Sequence, residues 1–334
     1  MRLYCGIDLH SNNVYLVIRD QDGRVVLRRR IPTDLALIRA ALEPFQSELV
    51  GIAVESTFNW YWLVDGLMQA GFRVHLANPT AMQPYSGLKH ADDCSDAAWL
   101  AEMLRLGVLP EGYIYPKEQR GLRDLMRRRI RLVQQRTAML LTLQNLVQRS
   151  TGQRWKGSKL AEWDGEGLDD SNVTLALSAT QRVATCLNEE VRGLEKEVRR
   201  QLRPDPLYEL LKTVPGAGPI LAPTIRLETG DIGRFPSPGH YVSYCRAVGS
   251  QHLTNGKRKG RGNTKNGNRY LAWAWIEVAH FAVRYHPPIR RYYERKQARS
   301  HRLVALKAVV HKLARAGFYV MRDRVPFEME KAFG

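Results

Sequence analysis

Cysteine is nearly missing from this chain. Its four residues, Cys5, Cys94, Cys186 and Cys245, lie far apart and form no C-x-x-C pair, which argues against a zinc ribbon or finger and for the reduced thiols of a cytosolic protein. Long apolar runs are missing too. None reaches membrane-spanning length without a charge, so neither a transmembrane helix nor a membrane partner is expected. The first residues enter a strand-like pattern at once, without the apolar core of a secretion signal. Acid is the third shortage: 33 Asp and Glu stand against 51 Lys and Arg, a formal net charge of +18. Arginine dominates the excess, and its guanidinium suits bidentate phosphate contact. Because this charge is clustered, a polyanionic partner such as nucleic acid explains it better than mere solubility does.

The remainder reads as ordinary globular protein. With 44% hydrophobic and 25% charged residues, a chain of 334 can build two or three domains with real cores. The first hundred residues alternate strand and helix. Leu3, Cys5 and Ile7 alternate with Tyr4 and Gly6, and Val14–Ile18 and Val25–Leu27 follow, separated by Asp20-Gln21-Asp22-Gly23, a hairpin signal. Leu35–Phe45 has helical spacing, with Thr33 or Asp34 as its cap. A strand to Glu55, a helix through Trp60, Leu63, Val64 and Leu67, a stop at Gly71 and a strand Phe72–Leu76 complete the series. Three antiparallel strands and then helix–strand–helix–strand is the order of an α/β ribonuclease-H-like fold, expected over residues 1–112.

From about Glu118 the pattern becomes long helix. Leu125-Met126, Leu132-Val133, Met139-Leu140 and Leu146-Val147 recur every seven residues, a coiled-coil seam. Leu187, Val191, Leu194 and Val198 form a second arm, and Gly152–Asp170 reads as the tip between the two. This helical arm is expected over 113–203. It carries a run of arginines in which Arg127, Arg128 and Arg129 are adjacent, and the single sign of the charge favours phosphate binding over a merely solvated face.

Pro204-Asp205-Pro206 opens a mainly α-helical third region, expected over 204–334. Its Val214-Pro215-Gly216-Ala217-Gly218-Pro219 turn between short helices has the form of a helix–hairpin–helix. Gly216 and Gly218 there would let backbone N–H groups approach a phosphate; the alternative is a tight turn between packed helices. Thr254–Arg269 is nearly free of apolar residues and is enclosed by apolar helices. A Gly-rich cationic loop on such a scaffold, with Lys257, Arg258, Lys259 and Lys265, has the character of a nucleic-acid site.

Four of the scarce acids are arranged for metal chemistry. Asp8 ends the apolar run Leu3–Ile7, Glu55 ends Leu49–Val54, and Asp93 and Asp96 stand three apart at the head of a helical stretch. Asp92 competes with Asp93, but only Asp93 shares a helix face with Asp96. A carboxylate at the end of a buried strand costs desolvation energy unless a cation or partner repays it. Together the four can hold a pair of Mg²⁺ ions, as in-line phosphodiester displacement uses.

In order, Gly6-Ile7-Asp8, Val54-Glu55-Ser56-Thr57, Asn78-Pro79, Lys89 with Asp93-x-x-Asp96-Ala97, Val214-Pro215-Gly216-Ala217-Gly218 and Thr264-Lys265-Asn266-Gly267-Asn268 resemble the insertion-sequence transposases. These join a DEDD resolvase-like nuclease domain to a C-terminal serine-nucleophile domain and are guided by a structured bridge RNA. The resemblance runs essentially end to end, closest to members beginning Gly-Ile-Asp-Leu-His-Ser. It implies that Asp8, Glu55, Asp93 and Asp96 are the metal-binding tetrad. It further implies DNA and a guide RNA as partners, a homodimer or homotetramer whose subunits share sites, and a bacterial, nucleoid-associated location. It also implies a serine that attacks DNA and stays bound to it. Here the chain departs: the matching position is Thr254, with Ser250 as rival. Threonine is a competent nucleophile when activated. The alternatives are a Holliday-junction-like endonuclease that uses only the tetrad, and a nucleic-acid-binding scaffold.

Overall fold

A computed structural model describes residues 1–82, 93–155, 157–160, 163, 168, 170–249, 251–255, 257–261 and 266–334, with side chains left undescribed at 93, 94, 157, 158, 251–254 and 258–261. The chain divides into two compact units, Met1–Lys117 and Glu118–Gly334. The first contains β1 (Leu3–Leu9), β2 (Asn13–Asp20), β3 (Val25–Pro32), α1 (Leu35–Leu42), β4 (Leu49–Glu55), α2 (Tyr61–Gln69), β5 (Val74–Ala77), α3 (Pro79–Met82) and α4 (Asp93–Arg105). Its five-stranded sheet has the order β3-β2-β1-β4-β5. The first three strands are antiparallel neighbours, while β4 runs parallel to both β1 and β5. This is the mixed sheet expected of an α/β unit. At its connections, Asp34 is the cap of α1, accepting from Ala36 N and Leu37 N. The Asp20 carboxylate accepts from Asp22 N and Arg24 N to close the first hairpin.

Two-residue periodicity decides what each face of the sheet does. Leu3, Cys5, Ile7 and Leu9 of β1, with Ile52 and Val54 of β4, pack on Ile38, Leu42, Leu63, Val64 and Leu67 of the α1–α2 layer. The alternate positions bring Tyr4, Gly6 and Asp8, and Gly51, Ala53 and Glu55, to the opposite face. That face is floored by small residues, and α4 lies on it. Ala97 and Ala98 meet Val17, and Leu100 meets Ala53 and Ala77.

The second unit comprises α5 (Lys117–Thr151), α6 (Gly157–Leu160), α7 (Ser171–Leu202), α8 (Pro206–Leu211), α9 (Leu221–Thr229), α10 (Pro238–Tyr244), β6 (Gln251–Thr254), β7 (Lys257–Arg261), α11 (Arg269–Tyr285), α12 (Pro287–Gln297), α13 (Arg302–Asp323) and α14 (Met329–Phe333). Helices α5 and α7 run antiparallel, because Arg129 meets Glu195 while the later Arg136 meets the earlier Asn188. Along α7, the buried positions Leu177, Ala184, Val191 and Val198 recur every seven residues. The tip between the helices has a core of its own, where Leu143, Val147, Leu160 and Leu177 pack with Trp155 and Trp163. At the base, Met126, Val198 and Leu202 join the C-terminal helices in one core around Trp275, Tyr241 and Phe318. Among the described residues no helix is long and apolar enough to cross a membrane.

Candidate active site

Asp8 and Glu55 follow the paired residues Ile7 and Val54 on two adjacent parallel strands, and both belong to the α4 face of the sheet. The Asp8 side chain is 5% exposed, and Glu55 is half-buried. The helix that carries Asp96 lies on this face because of Gly6. A Cβ there would stand 2.0 Å from the Ala97 carbonyl oxygen and 2.6 Å from the Ala101 nitrogen. Without one, the backbone of α4 rests directly on β1, two residues before Asp8. Asp96, which precedes Ala97, has one carboxylate oxygen closed off from solvent. The far end of α4 is clamped as well. Arg105 grips Glu102 at 2.6 Å and donates to Gln21 O, and Arg19 approaches Glu102 at 3.7 Å. The hydrogen bond from Arg105 holds the Glu102 carboxyl below its ordinary pKa, against the desolvation that would raise it.

Asp93 begins α4, one helical turn before Ala97, but its side chain lies outside the described residues, as do Lys89 and Asp92 entirely. Among the described residues no three His, Cys, Asp or Glu side chains converge as a metal site. The donors that are described are hard carboxylate oxygens, partly or wholly withdrawn from water, which suits Mg²⁺.

His10 was absent from the sequence-derived candidates. Its Nε2 lies 3.0 Å from the Asp8 carboxylate. Its carbonyl accepts from Thr33 Oγ1 and from Asn59 Nδ2, both at 3.4 Å, and Asn59 in turn accepts from Thr57 Oγ1 at 2.8 Å. The segment after Glu55 is thus tied to the turn after Asp8. The signal was its position, two residues after Asp8 and just beyond the end of β1. A second unforeseen feature is the edge strand β3, where Arg28, Arg29 and Arg30 are all exposed. Arg30 is opposite Tyr15, itself opposite Asp8, two strand spacings or about 10 Å away.

In the second unit, the stretch expected as a loop is a β-hairpin. Gln251–Thr254 pairs antiparallel with Lys257–Arg261, and Thr254 is opposite Lys257. Asn255 opens the connection with φ of 49°. The missed signal was Asn255-Gly256 itself, since an Asn-Gly pair favours the positive φ of a two-residue hairpin turn. Lys257 is exposed, whereas the side chains of Thr254, Arg258 and Lys259, and all of Ser250 and Lys265, lie outside the described residues.

The arginines of α5 divide by role. Arg127 grips the buried Glu228 through two hydrogen bonds of 2.6 and 2.8 Å and lies over the Tyr270 ring. Asn268 adds a third bond to Glu228 at 2.7 Å while its Oδ1 caps α11. This network anchors the segment that follows the basic hairpin. Arg129 is engaged by Glu195 at 2.6 Å. Only Arg128 of the three is exposed. Gly216, with φ of 87°, abuts α11, where a Cβ would come within 2.4 Å of the Val278 carbonyl oxygen. Close helix packing is therefore reason enough for that glycine.

Comparison with known proteins agrees in both units. A transposase family model of the DEDD, IS110 type matches residues 5–151, and the model of the transposase IS116/IS110/IS902 family matches residues 208–294. The "Probable family 20 transposase" of Pseudomonas aeruginosa is 24% identical over 84% of this chain and 83% of its own length. The transposase for insertion sequence element IS1111A of Coxiella burnetii is 23% identical, covering 84% and 78%. The transposase for insertion sequence element IS1328 of Yersinia enterocolitica is 23% identical, covering 96% and 97%.

Proposed function

Because this chain belongs to the IS116/IS110/IS902 family of transposases, we propose that it cuts and rejoins DNA strands through a covalent protein–DNA ester. It is an enzyme, and DNA is its substrate. The observation that carries the reading is the seating of α4 on β1 through Gly6. It lays the helix that carries Asp96 on the strand that ends in Asp8, on the sheet face to which Glu55 belongs, and this supports the reading.

The first unit is read as a ribonuclease-H-like nuclease. Asp8, Glu55, Asp93 and Asp96 would hold Mg²⁺, two ions in this reading, which supplies polarisation of the scissile phosphate and steadies the attacking and leaving oxygens. His10 orients the Asp8 carboxylate, and the Thr57–Asn59–His10 bonds keep the two strand-end segments in register. The Thr254 hydroxyl is the nucleophile. Its Oγ–P bond forms as the P–O bond to the departing strand breaks, and the hydroxyl of a partner strand later reverses the exchange. Phosphodiester bonds are conserved in number, so no ATP is needed. Lys257, Arg258, Lys259 and Lys265 neutralise charge that accumulates on phosphate in the transition state. The family likeness extends the proposal to a structured guide RNA and to a homodimer or homotetramer.

The test is a trapped intermediate. Incubation with DNA carrying the element ends should yield an adduct that survives denaturation and maps to Thr254 by mass spectrometry. Thr254→Ala should remove it, Thr254→Ser should retain it, and Ser250→Ala should matter much less. An adduct on Ser250, or undiminished recombination in Thr254→Ala, overturns this assignment of the nucleophile.

A further inference from the structure

Beside the Pro215–Pro219 turn is a groove used by neither the acidic cluster nor the basic hairpin. Lys212, the turn, Phe281, Tyr285 and His286 line a cavity of about 490 Å³. At Gly216 the turn packs directly on the α11 backbone. Gly218 differs from Gly216. Its φ is not in the left-handed region, and nothing stands within 4 Å of where its Cβ would be. Neither backbone conformation nor packing within the chain calls for a glycine at that position. A ligand passing close over the turn would.

Phe281 and Tyr285 stand one helical turn apart on α11. Their rings are 10° from parallel with centroids 6.4 Å apart, and the residues are 43% and 60% exposed. A stacked aromatic pair left in water at the mouth of an apolar groove suits a flat, apolar-faced occupant. The charge around it is cationic. Arg284 lies over the Tyr285 ring at 5.1 Å, Lys212 stands on the turn side, and Arg290 packs on the end of α11 through Val283 O. Glu209 is the acid here, and it is paired with Lys212. Aromatic faces rimmed by cations form the platform on which single strands stack their bases, whereas a paired base has its faces covered by its neighbours.

We propose that this groove receives an unpaired nucleobase, stacked on Phe281 and Tyr285, while its sugar–phosphate backbone passes over Gly218 towards the cationic rim. The proposal rests on the transposase reading and deepens it, because strand exchange exposes unpaired bases.

Binding of fluorescent single-stranded DNA, single-stranded RNA and duplex DNA of matched sequence, followed by anisotropy, tests it. The double variant Phe281→Ala/Tyr285→Ala and the single variant Gly218→Val should each weaken single-strand binding roughly 5- to 150-fold. Duplex affinity should be unchanged, and Phe281→Trp should bind as the parent does. The Gly218 variant fills open space, so it keeps the test decisive if the alanine pair unfolds. A larger loss for RNA assigns the groove to a guide strand, and a larger loss for DNA assigns it to a displaced strand. Parental single-strand affinity in both variants overturns the proposal. So does an equal loss for single strand and duplex, or a loss accompanied by dissociation into smaller species in sedimentation, which would assign the face to a second copy of the chain. Failure of the parent to bind any of the three nucleic acids would overturn the transposase reading itself, a result distinct from the others.

Discussion

Replacing Gly6 with alanine adds one methyl group and should slow catalysis on the order of 100-fold without abolishing binding. The new Cβ would stand 2.0 Å from the Ala97 carbonyl oxygen, where ordinary contact begins near 3.4 Å. The obstacle is backbone, not the end of a flexible side chain, so α4 must retreat by more than an ångström. Overpacking of this kind costs about 1–3 kcal/mol, and a backbone obstacle puts this case near the upper end. The retreat carries the helix that bears Asp96 away from the strands of Asp8 and Glu55. A misplacement of about 1 Å at a reacting centre can cost on the order of 100-fold in rate. Urea denaturation should report the stability loss, and single-turnover cleavage of element-end DNA in Mg²⁺ the rate loss, while DNA affinity should stay at the parental value. Gly121→Ala is the control, because that helical position has open space around it and alanine there should stabilise by about 0.5–1 kcal/mol. A Gly6→Ala protein with parental stability and cleavage rate would refute the idea that α4 is seated on β1 through this glycine.

Three further outcomes are expected. Arg127→Ala leaves the buried Glu228 without two of its hydrogen bonds and should destabilise by about 3–5 kcal/mol, lowering the calorimetric midpoint by roughly 6–20 °C for a unit of this size. Arg128→Ala, at an exposed position, should leave the midpoint unchanged but flatten the salt dependence of nucleic-acid binding by about one unit in a log–log plot of affinity against salt. If Arg127→Ala showed the binding phenotype and no stability change, the division of roles on α5 would be reversed. Charge reversal of Arg28, Arg29 and Arg30 together should raise the KM for DNA cleavage and leave the melting of the first unit unaltered; an unchanged KM would make β3 a merely charged sheet edge.

Most of the first unit was legible because its residues obey local rules. The two-residue alternation in Leu3–Leu9 and Leu49–Glu55, the Asp20–Gly23 turn and the Asp34 cap each act over a few residues, and they yield the succession of strands and helices that builds the mixed sheet. The seven-residue step between Val191 and Val198, both buried on α7, was equally plain. What stayed hidden depends on distant partners. Nothing within Arg127-Arg128-Arg129 says that the first meets a glutamate 101 positions later, the third one 66 positions later, and that the middle one faces solvent. Gly216 gave a similar ambiguity, since a glycine admits either a phosphate or a helix backbone and the sequence does not name which. The Asn255-Gly256 turn was a different matter. Its signal was local, but the density of charge around it drew the reading towards a loop.

The most direct test uses a plasmid bearing the element with its native flanks, so that any guide RNA is supplied from its own locus, in cells expressing parent, Asp8→Asn or Glu55→Gln protein at matched levels. Sequencing of recombination joints should find them abundant with the parent and absent with either variant, while both variants still retain element-end DNA on pull-down. Joints formed at the parental frequency by Asp8→Asn would contradict the assignment of chemistry to these strand-end carboxylates.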